Sequence, residues 1–464
     1  MTAALKLALP DKLAMYRDKA HQELDKFIDR MAPQLLQEEP LTLLEISATF
    51  QENKSELLGD LLQDFIEIHH LESCGQTVCN CPECKTPLIK KRDSSRKVES
   101  LQGSSIVRRP YFYCKKCKIG FAPLDESLEL SSRKKQYDLQ QLALEYLAEM
   151  PFDRAAELFT KSTGASFSDH MLHDLFAKFT DQMSIEDVIP TAEEISKRID
   201  SLATSGNRRP ILVVTADGAF APTRPQAPRA EKRGPGEWKE AKGFRLYAIG
   251  KEDMVQIASW HQIQNADEFS RDLKLAAQRI PMTKVRIALI GDGAGWVWRC
   301  MEEAFPGSRQ ILDYYHCTEH LYELAQAQYG DDAEKALSWA LGAIGRIYYN
   351  ETGLVIGGLK RMKPKNDDVK EQIRKLIGYL QNNKHRLHYD GARKGGYPIG
   401  SGGIESANKF ICHTRLKRSG AWWLKSNGNG MLRLRCSIVN GTFNSAFAQY
   451  VTRDQAKIFL GTCA

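Results

Sequence analysis

Apolar residues in the second half of the chain fall into short runs that end at polar turn residues. The run 211–214 is apolar, mostly β-branched, and lies between Pro210 and Asp217. A bounded run of this length predicts a buried strand rather than a helix. The run 285–290 has the same form and leads to Asp292. We expect each of these strands to deliver one carboxylate at its end.

Further runs extend this pattern into an ordered series. Strands are predicted at 244–249, 254–260 and 309–313, and amphipathic helices follow the third and fourth strands of the series. The order β-β-β-α-β-α-β is that of a ribonuclease-H-like fold. Its first and fourth strands are neighbours, which places Asp217 beside Asp292. Carboxylates this close favour a divalent cation between them, although an Asp after a strand is also ordinary turn chemistry.

A third carboxylate stands at the start of a predicted helix. The Gly-rich stretch 397–403 opens this helix, with Glu405 in or near its first turn. A carboxylate there gains from the helix dipole, so Glu405 alone is equally explained as a capping residue.

The first part of the chain is predicted to be mainly helical. Residues 1–73 carry an apolar stripe at helical spacing, which core packing or a partner helix explains equally well. The segments 153–159 and 168–176, joined across Gly164, predict a helix-turn-helix with Ser168 as the cap of its second helix. Helical hairpins are common, so this segment is equally explained as a DNA-reading motif or as an ordinary helical hairpin.

Two CxxC pairs, 29 residues apart, predict a structural zinc site with a β-hairpin between them. Four thiolates close a tetrahedral site and replace a core that so small a segment lacks. Cys74 and Cys79 are alternative ligands, and reduced, unliganded cysteines are the other explanation. The predicted zinc ligands are Cys81, Cys84, Cys114 and Cys117.

Charge is distributed unevenly in this 464-residue chain of net charge +7. Residues 1–73 have seven Lys/Arg and fourteen Asp/Glu, a net charge of −7, whereas 85–118 has eleven basic residues against two acidic ones. Concentrated basic tracts fit a polyanionic partner. Around the CxxC pairs the predicted phosphate-contacting residues are Arg96, Lys97, Arg108, Arg109, Lys115 and Lys116.

Composition sets the broad class. A hydrophobic content of 42% allows a large core, and the length predicts about three domains at ~150 residues each. No apolar run approaches the ~20 residues of a membrane span, and the first residues do not form a signal peptide. We therefore expect no membrane partner and a cytoplasmic location.

Four ordered motifs carry a resemblance to a known family. They are Val-Thr-Ala-Asp-Gly at 214–218, Gly-Asp-Gly-Ala-Gly-Trp-Val-Trp at 291–298, Asp-Tyr-Tyr-His-Cys-Thr-Glu-His at 313–320 and Gly-Ser-Gly-Gly-Ile-Glu-Ser-Ala-Asn at 400–408. Together they resemble the DDE transposases of bacterial insertion sequences, in particular the ISKra type, which is related to the Mutator-like and hAT-like enzymes. The match runs from the CxxC pairs to Phe447 and leaves out the acidic first 73 residues.

The resemblance implies a function and a catalytic site. The family's catalytic triad falls on Asp217, Asp292 and Glu405, and its DxxH element falls on Asp313 and His316. Two Mg²⁺ (or Mn²⁺) ions would bind this triad for DNA cleavage and strand transfer at the ends of the element. The basic residues after Glu405 would face backbone phosphates: His413, Arg415, Lys417 and Arg418.

The resulting organisation is an α/β chain with a ribonuclease-H-like catalytic core that carries a helical insertion. Double-stranded DNA is the expected partner, the location nucleoid-associated, and the expected assembly at least a dimer, because two ends must be synapsed. Two other functions stay open: a DNA-binding regulator on an inactive catalytic fold, and a ribonuclease-H-like nuclease or resolvase. The predicted segments are an acidic helical region (1–73), a zinc-ribbon-like module (74–130), a helix-turn-helix-like segment (131–183), a linker (184–209) and the catalytic domain (210–464), with its insertion at about 319–398.

Overall fold

The computed structural model of the chain describes residues 9–202, 208–225 and 235–459. The chain forms two compact units, of which the first comprises Met1–Phe179 with Phe447–Ala464 and the second Thr180–Ala446. Both contain helices and sheet, so the architecture is mixed α/β. The finer division into five segments stays a prediction.

The first unit contains two small antiparallel sheets, β1-β2 and β3-β4-β5. Its strands are β1 (Val78–Asn80), β2 (Pro87–Ile89), β3 (Arg92–Ser100), β4 (Gly103–Cys114) and β5 (Ile119–Phe121). Its helices are α1 (Leu9–Leu35), α2 (Leu43–His69), α3 (Leu71–Cys74), α4 (Pro123–Ser127), α5 (Tyr137–Glu149), α6 (Phe152–Thr163) and α7 (Asp169–Thr180), together with most of the last helix of the chain, Phe443–Phe459.

The β3-β4 hairpin lies between the two CxxC pairs, where a hairpin is predicted. The apolar segments 104–107 and 111–113, which the sequence predicts as the two strands of the hairpin, both lie in the single strand β4, and its partner β3 is a charged run without apolar alternation. The helix-turn-helix prediction corresponds to α6 and α7. Gly164 ends α6 with φ of +74°, a left-handed conformation that glycine adopts without strain. Whether this hairpin reads DNA stays a prediction.

The second unit is built on one five-stranded sheet. Its strands are β6 (Ile211–Thr223), β7 (Glu237–Ile249), β8 (Met254–Ile263), β9 (Arg286–Gly291) and β10 (Arg309–Leu312). Its helices are α8 (Ile185–Val188), α9 (Ala192–Asp200), α10 (Ala266–Gln278), α11 (Gly295–Ala304), α12 (Tyr314–Tyr329), α13 (Ala333–Tyr348), α14 (Thr352–Arg361), α15 (Asp367–Asn382), α16 (Tyr389–Lys394), α17 (Gly402–Ala407), α18 (Thr414–Leu416) and α19 (Lys425–Asn440), with 3₁₀ turns at Met282–Lys284 and Lys384–Arg386 and a π-helical segment at Asn408–His413.

The strand order in this sheet is β10-β9-β6-β7-β8. Strand β6 runs antiparallel to β7 and parallel to β9, and β9 runs parallel to β10. The two central parallel strands are apolar at every position from 212 to 214 and from 288 to 290, and all six side chains are fully buried. Continuous apolar runs of this kind are typical of strands covered on both faces. The predicted adjacency of the first and fourth strands is therefore present.

Two local expectations differ from the structure. The sequence predicts Asp217 at the end of its strand, but β6 continues to Thr223, because the antiparallel ladder with β7 extends six residues beyond Asp217. The sequence also predicts a linker at 184–209, but the described part of this segment contains α8 and α9. The Thr191 side chain caps α9, and Ile195 and Ile199 are buried. These helices are short and polar on one face, which makes them difficult to predict from sequence.

Candidate functional site

The pairing of strands β6 and β9 places two of the predicted carboxylates at equivalent positions along these strands. Thr215 of β6 pairs with Ile290 of the parallel strand β9, and two residues further on these chains carry Asp217 and Asp292. The pKa of Asp217 is raised to about 6, mainly because the carboxyl is buried and also because the negative charge of Asp292 is near. The pair therefore concentrates negative charge that a bound cation would balance.

Asp313 follows β10 and links two parts of the site. Its backbone N–H donates to the carbonyl of Gly291 (2.8 Å), and its Oδ1 accepts the N–H of His316 (2.9 Å). Its Oδ2 accepts the N–H of Ser401, and the side chain is fully buried. Asp313 thus caps α12 and fixes the Gly-rich loop. Both carboxylate oxygens of Asp313 are therefore engaged inside the protein.

Glu405 lies in the first turn of α17, as predicted. Its Oε1 accepts a hydrogen bond from the Ser401 hydroxyl (3.2 Å) and lies 4.0 Å from Nε2 of His316. His316 also approaches Glu319 at 3.7 Å, and about 40% of its side chain is exposed. The motifs at 313–320 and 400–408 therefore meet at one place, where His316 and Glu405 both face solvent.

Helix α17 lies close against the sheet because one of its residues lacks a side chain. A Cβ atom at Gly403 would lie 2.6 Å from the ring of Tyr247. The carbonyl of Gly403 accepts a hydrogen bond from Nη1 of Arg245 (2.9 Å). The glycines of the loop therefore allow the backbone that carries Glu405 to approach β7.

Two residues outside the predicted site form hydrogen bonds with the two aspartates, one with a carboxylate and one with a backbone carbonyl. Nδ2 of Asn408 donates to Oδ2 of Asp217 (2.8 Å), and the hydroxyl of Tyr379 donates to the backbone carbonyl of Asp292 (3.2 Å). Asn408 follows Glu405 by three residues, a spacing that puts both on one helix face, so its position was a usable signal. Nothing in the sequence near Tyr379 marks that residue.

The donor atoms of the three predicted catalytic carboxylates do not all lie within 4.8 Å of one another. Among the described residues, the one group of three or more metal-ligating side chains whose donor atoms all lie within 4.8 Å of one another is the four-cysteine cluster. Asp217, Asp292 and Glu405 are outside this limit. Their oxygen donors nevertheless suit a hard divalent cation, and the raised pKa of Asp217 fits a site that gains from positive charge.

The four cysteines predicted as zinc ligands form one cluster that could hold a metal ion. The Sγ atoms of Cys84 and Cys114 are 3.6 Å apart, and those of Cys81 and Cys117 are 4.0 Å apart. Each CxxC pair is followed by a lysine with φ of +58°, Lys85 and Lys118. The two turns therefore have matching backbone geometry, and the cluster is suited to a tetrahedral ion.

Proton affinities differ among these thiols. The Thr86 hydroxyl lies 3.1 Å from Sγ of Cys84 and lowers the pKa of that thiol to about 6. The hydrogen bond with Cys84 raises the pKa of Cys117. Cys74 and Cys79 lie outside the cluster, and burial raises the pKa of both. They are therefore not placed as alternative ligands.

The predicted DNA-contacting residues are split between surface and interior. Strand alternation places Lys97 and Arg108 on the exposed face of the β3-β4 hairpin, with Arg108 paired to Glu67 at 3.1 Å. Half-buried His413 lies in the π-helical segment. Four further lysines and arginines are exposed: Lys115, Lys116, Lys417 and Arg418.

Three predicted phosphate contacts are corrected by the structure. Arg96 and Arg109 lie on the inner face of the hairpin and pair with Asp125 at 3.5 and 2.5 Å. Arg415 is 2% exposed, and its guanidinium packs over the ring of Trp423. The prediction differs from the structure because basic content alone does not show which residues face inward. Strand alternation turns Arg96 and Arg109 inward, and Arg415 is buried in the helical segment.

No family model matches the chain, and no curated protein matches it. A solved structure, the Drosophila P element transposase strand transfer complex, matches with a TM-score of 0.26 and 10% identity, over 70% of this chain and 82% of that one. Within the described ranges, no helix has the length and apolarity that a membrane crossing requires.

Proposed function

We propose that this protein is a DDE transposase of the ISKra type, which binds the ends of an insertion sequence and catalyses metal-dependent DNA cleavage and strand transfer. The observation that carries the proposal is that Asp217 and Asp292 occupy equivalent positions after the paired residues of the adjacent parallel strands β6 and β9. Glu405 lies on helix α17, which contacts β6. The strand order β10-β9-β6-β7-β8 supports a ribonuclease-H-like core, and the helices α12 to α16 between β10 and α17 support the insertion.

The carboxylates would hold the metal. Asp217, Asp292 and Glu405 supply oxygen ligands, and His316, beside Glu405, is suited to contact a scissile phosphate. Two Mg²⁺ ions, when bound, stabilise the attacking and leaving oxygens of an in-line displacement at phosphorus. Asp313 keeps the Gly-rich loop and the start of α12 together, so that Glu405 and His316 stay on the same side of the site.

The first unit would bind DNA. A zinc ion on the four cysteines would fix strand β3, which carries Lys97, and the β4-β5 turn, which carries Lys115 and Lys116; all three lysines are exposed and can meet backbone phosphates. Synapsis of two ends requires at least two copies of the chain. Nucleoid-associated activity in the cytoplasm follows from this DNA substrate.

The test uses the full zinc-loaded protein and a labelled duplex of the DNA that flanks the chain's own coding sequence. Reactions contain Mg²⁺ or Ca²⁺ and compare the wild type with Asp292→Asn. The matched control is Asp253→Asn, an exposed acid in the β7-β8 turn of the same sheet. We expect Mg²⁺-dependent nicks with free 3′-hydroxyls and joined products. The Asp292 variant should lose at least about 10³-fold in rate, since several kcal/mol of charge stabilisation disappear.

Three outcomes separate the functions. Loss of cutting in Asp292→Asn with DNA binding retained supports the transposase. Tight binding without cutting by the wild type indicates a DNA-binding regulator instead. Cutting without joining indicates a nuclease or resolvase, and equal activity of both Asp variants would contradict the assignment of Asp292.

A further inference from the structure

The buried side chain of His261 is linked to the Asp217 carboxylate through the side chain of one other residue, Asn408. Nε2 of His261 is 3.1 Å from Oδ1 of Asn408, and Nδ2 of Asn408 donates to Oδ2 of Asp217 at 2.8 Å. His261 is 0% exposed and Asn408 is 5% exposed. The three side chains form a chain of hydrogen bonds that starts inside the protein and ends at the site.

The donor and acceptor of each of these hydrogen bonds follow from what the Asp217 carboxylate can accept. A carboxylate only accepts hydrogen bonds, so Asn408 must turn its amide N–H toward Asp217 and its amide oxygen toward His261. Nε2 of His261 must then carry a proton. Burial lowers the pKa of His261 to about 4, so the ring is neutral and Nδ1 is bare, in agreement with the absence of a hydrogen-bond partner for Nδ1 among the described residues.

The fold makes room for this ring. His261 of β8 pairs with Gly243 of β7, and a Cβ atom at Gly243 would lie 2.1 Å from Cδ2 of His261. Gly243 in turn pairs with Asp217 of β6. The missing side chain at this one position therefore lets the imidazole lie across β7 and reach Asn408 on the helical segment.

Asp217 keeps room for a ligand in this arrangement. Its Oδ1 accepts the N–H of Gly218 (2.7 Å), and its Oδ2 accepts the amide of Asn408. Each carboxylate oxygen has a second lone-pair direction, so both hydrogen bonds leave ligand positions open while they fix the plane of the carboxylate.

We propose that His261 and Asn408 are positioning residues that hold the Asp217 carboxylate in the orientation that binds a divalent cation. The proposal rests on the metal-dependent function proposed above, because it assumes that Asp217 is a metal ligand. Neither residue touches the substrate. Asn408 acts on Asp217 directly, and His261 acts only by fixing which end of the Asn408 amide faces the site.

The experiment measures Mn²⁺ binding to the full zinc-loaded protein by electron paramagnetic resonance. Asn408→Leu, similar in size but without the amide, should weaken binding about 10- to 100-fold, as loss of a side chain that is hydrogen-bonded to a metal ligand usually does. His261→Gln keeps a donor near the position of Nε2 and should stay within about 3-fold of the wild type, whereas His261→Asn is too short and should lose more. Thr215→Val, which removes a buried hydroxyl from the same strand, is the control and should not change binding.

Non-additivity distinguishes positioning from general destabilisation. The double variant Asn408→Leu/His261→Asn should bind Mn²⁺ no more weakly than Asn408→Leu alone, because His261 has no route to Asp217 without Asn408. Additive losses, or wild-type binding by Asn408→Leu, would overturn the proposal. If Asn408→Leu does not fold, the comparison of His261→Gln with His261→Asn decides, and equal binding by these two overturns the role of His261.

The same measurement separates this proposal from the proposed function. A wild-type Mn²⁺ site that disappears in Asp217→Asn establishes Asp217 as a ligand, and the Asn408 variants then test positioning alone. Binding that is equal in the wild type and Asp217→Asn contradicts the metal-dependent function itself, and the positioning role then has no basis.

Discussion

The two candidate metal centres of this chain differ in how far the protein alone assembles them. Four cysteine sulfurs lie within 4.8 Å of one another, whereas the three carboxylates of the second unit do not meet that limit. The sulfurs come from two turns at neighbouring strand ends, and thiols can be close while they are protonated. Carboxylates are charged at neutral pH and repel one another, so their approach depends on a cation.

The difference also separates local from long-range assembly. Cys81 and Cys84 are fixed by a turn of four residues, as are Cys114 and Cys117, and one hairpin joins the two pairs. The carboxylates depend on strand pairing and on the contact between Asn408 and Asp217, which are 191 residues apart. A structural metal suits the first arrangement and a catalytic metal, which needs open positions, suits the second.

The largest expected effect is the loss of the zinc cluster. Cys81→Ser should abolish zinc binding and unfold the module around it, because the hydrophobic cluster beside the site is small and consists of Val98, Val107, Leu124 and Leu130. Structural zinc contributes about 10–16 kcal/mol in small zinc-binding peptides. Zinc content and hydrogen exchange over residues 74–130 measure the change.

Cys79→Ser is the matched control for this prediction. Cys79 lies in β1, opposite Leu88 and outside the cluster, so its variant should keep one zinc per chain and normal hydrogen exchange. Zinc retained in Cys81→Ser, or lost in Cys79→Ser, would show that the ligand set is wrong.

The sequence predicted the parts of these two centres that depend on local spacing and missed the parts that depend on long-range contacts. The CxxC spacing is a local signal, and it identified all four clustered cysteines. The apolar runs that lead to Asp217 and Asp292 predicted adjacent strands, because a buried strand also leaves a continuous apolar run in the local sequence. The positions of His261 and Tyr379 depend on contacts between distant segments. The burial of Arg415 depends on Trp423 and Met431, which no spacing rule near it reveals.

The second prediction concerns pH and the carboxylate centre. Protons compete with a metal for Asp217, whose pKa is raised to about 6, so Mn²⁺ affinity should be level above about pH 7. It should fall up to about tenfold for each pH unit below about 6, because the protonated carboxyl is then the main form. Titrations from about pH 5 to about pH 8 measure this dependence. An affinity that stays constant to about pH 5 would contradict the raised pKa.

The smallest expected effect is at the zinc cluster, from a residue that touches only one sulfur. Thr86→Val keeps the side-chain shape and removes the hydroxyl that lies 3.1 Å from Sγ of Cys84. That hydroxyl is the main reason why the pKa of Cys84 is lowered to about 6, so the pKa should rise toward its usual value. More protons then compete with zinc at pH 7, and we expect about 3- to 10-fold weaker binding. Competition with a chromophoric chelator measures the affinity. Thr86→Ser, which keeps the hydroxyl, should bind zinc like the wild type, and equal losses in the two variants would assign the effect to backbone geometry instead.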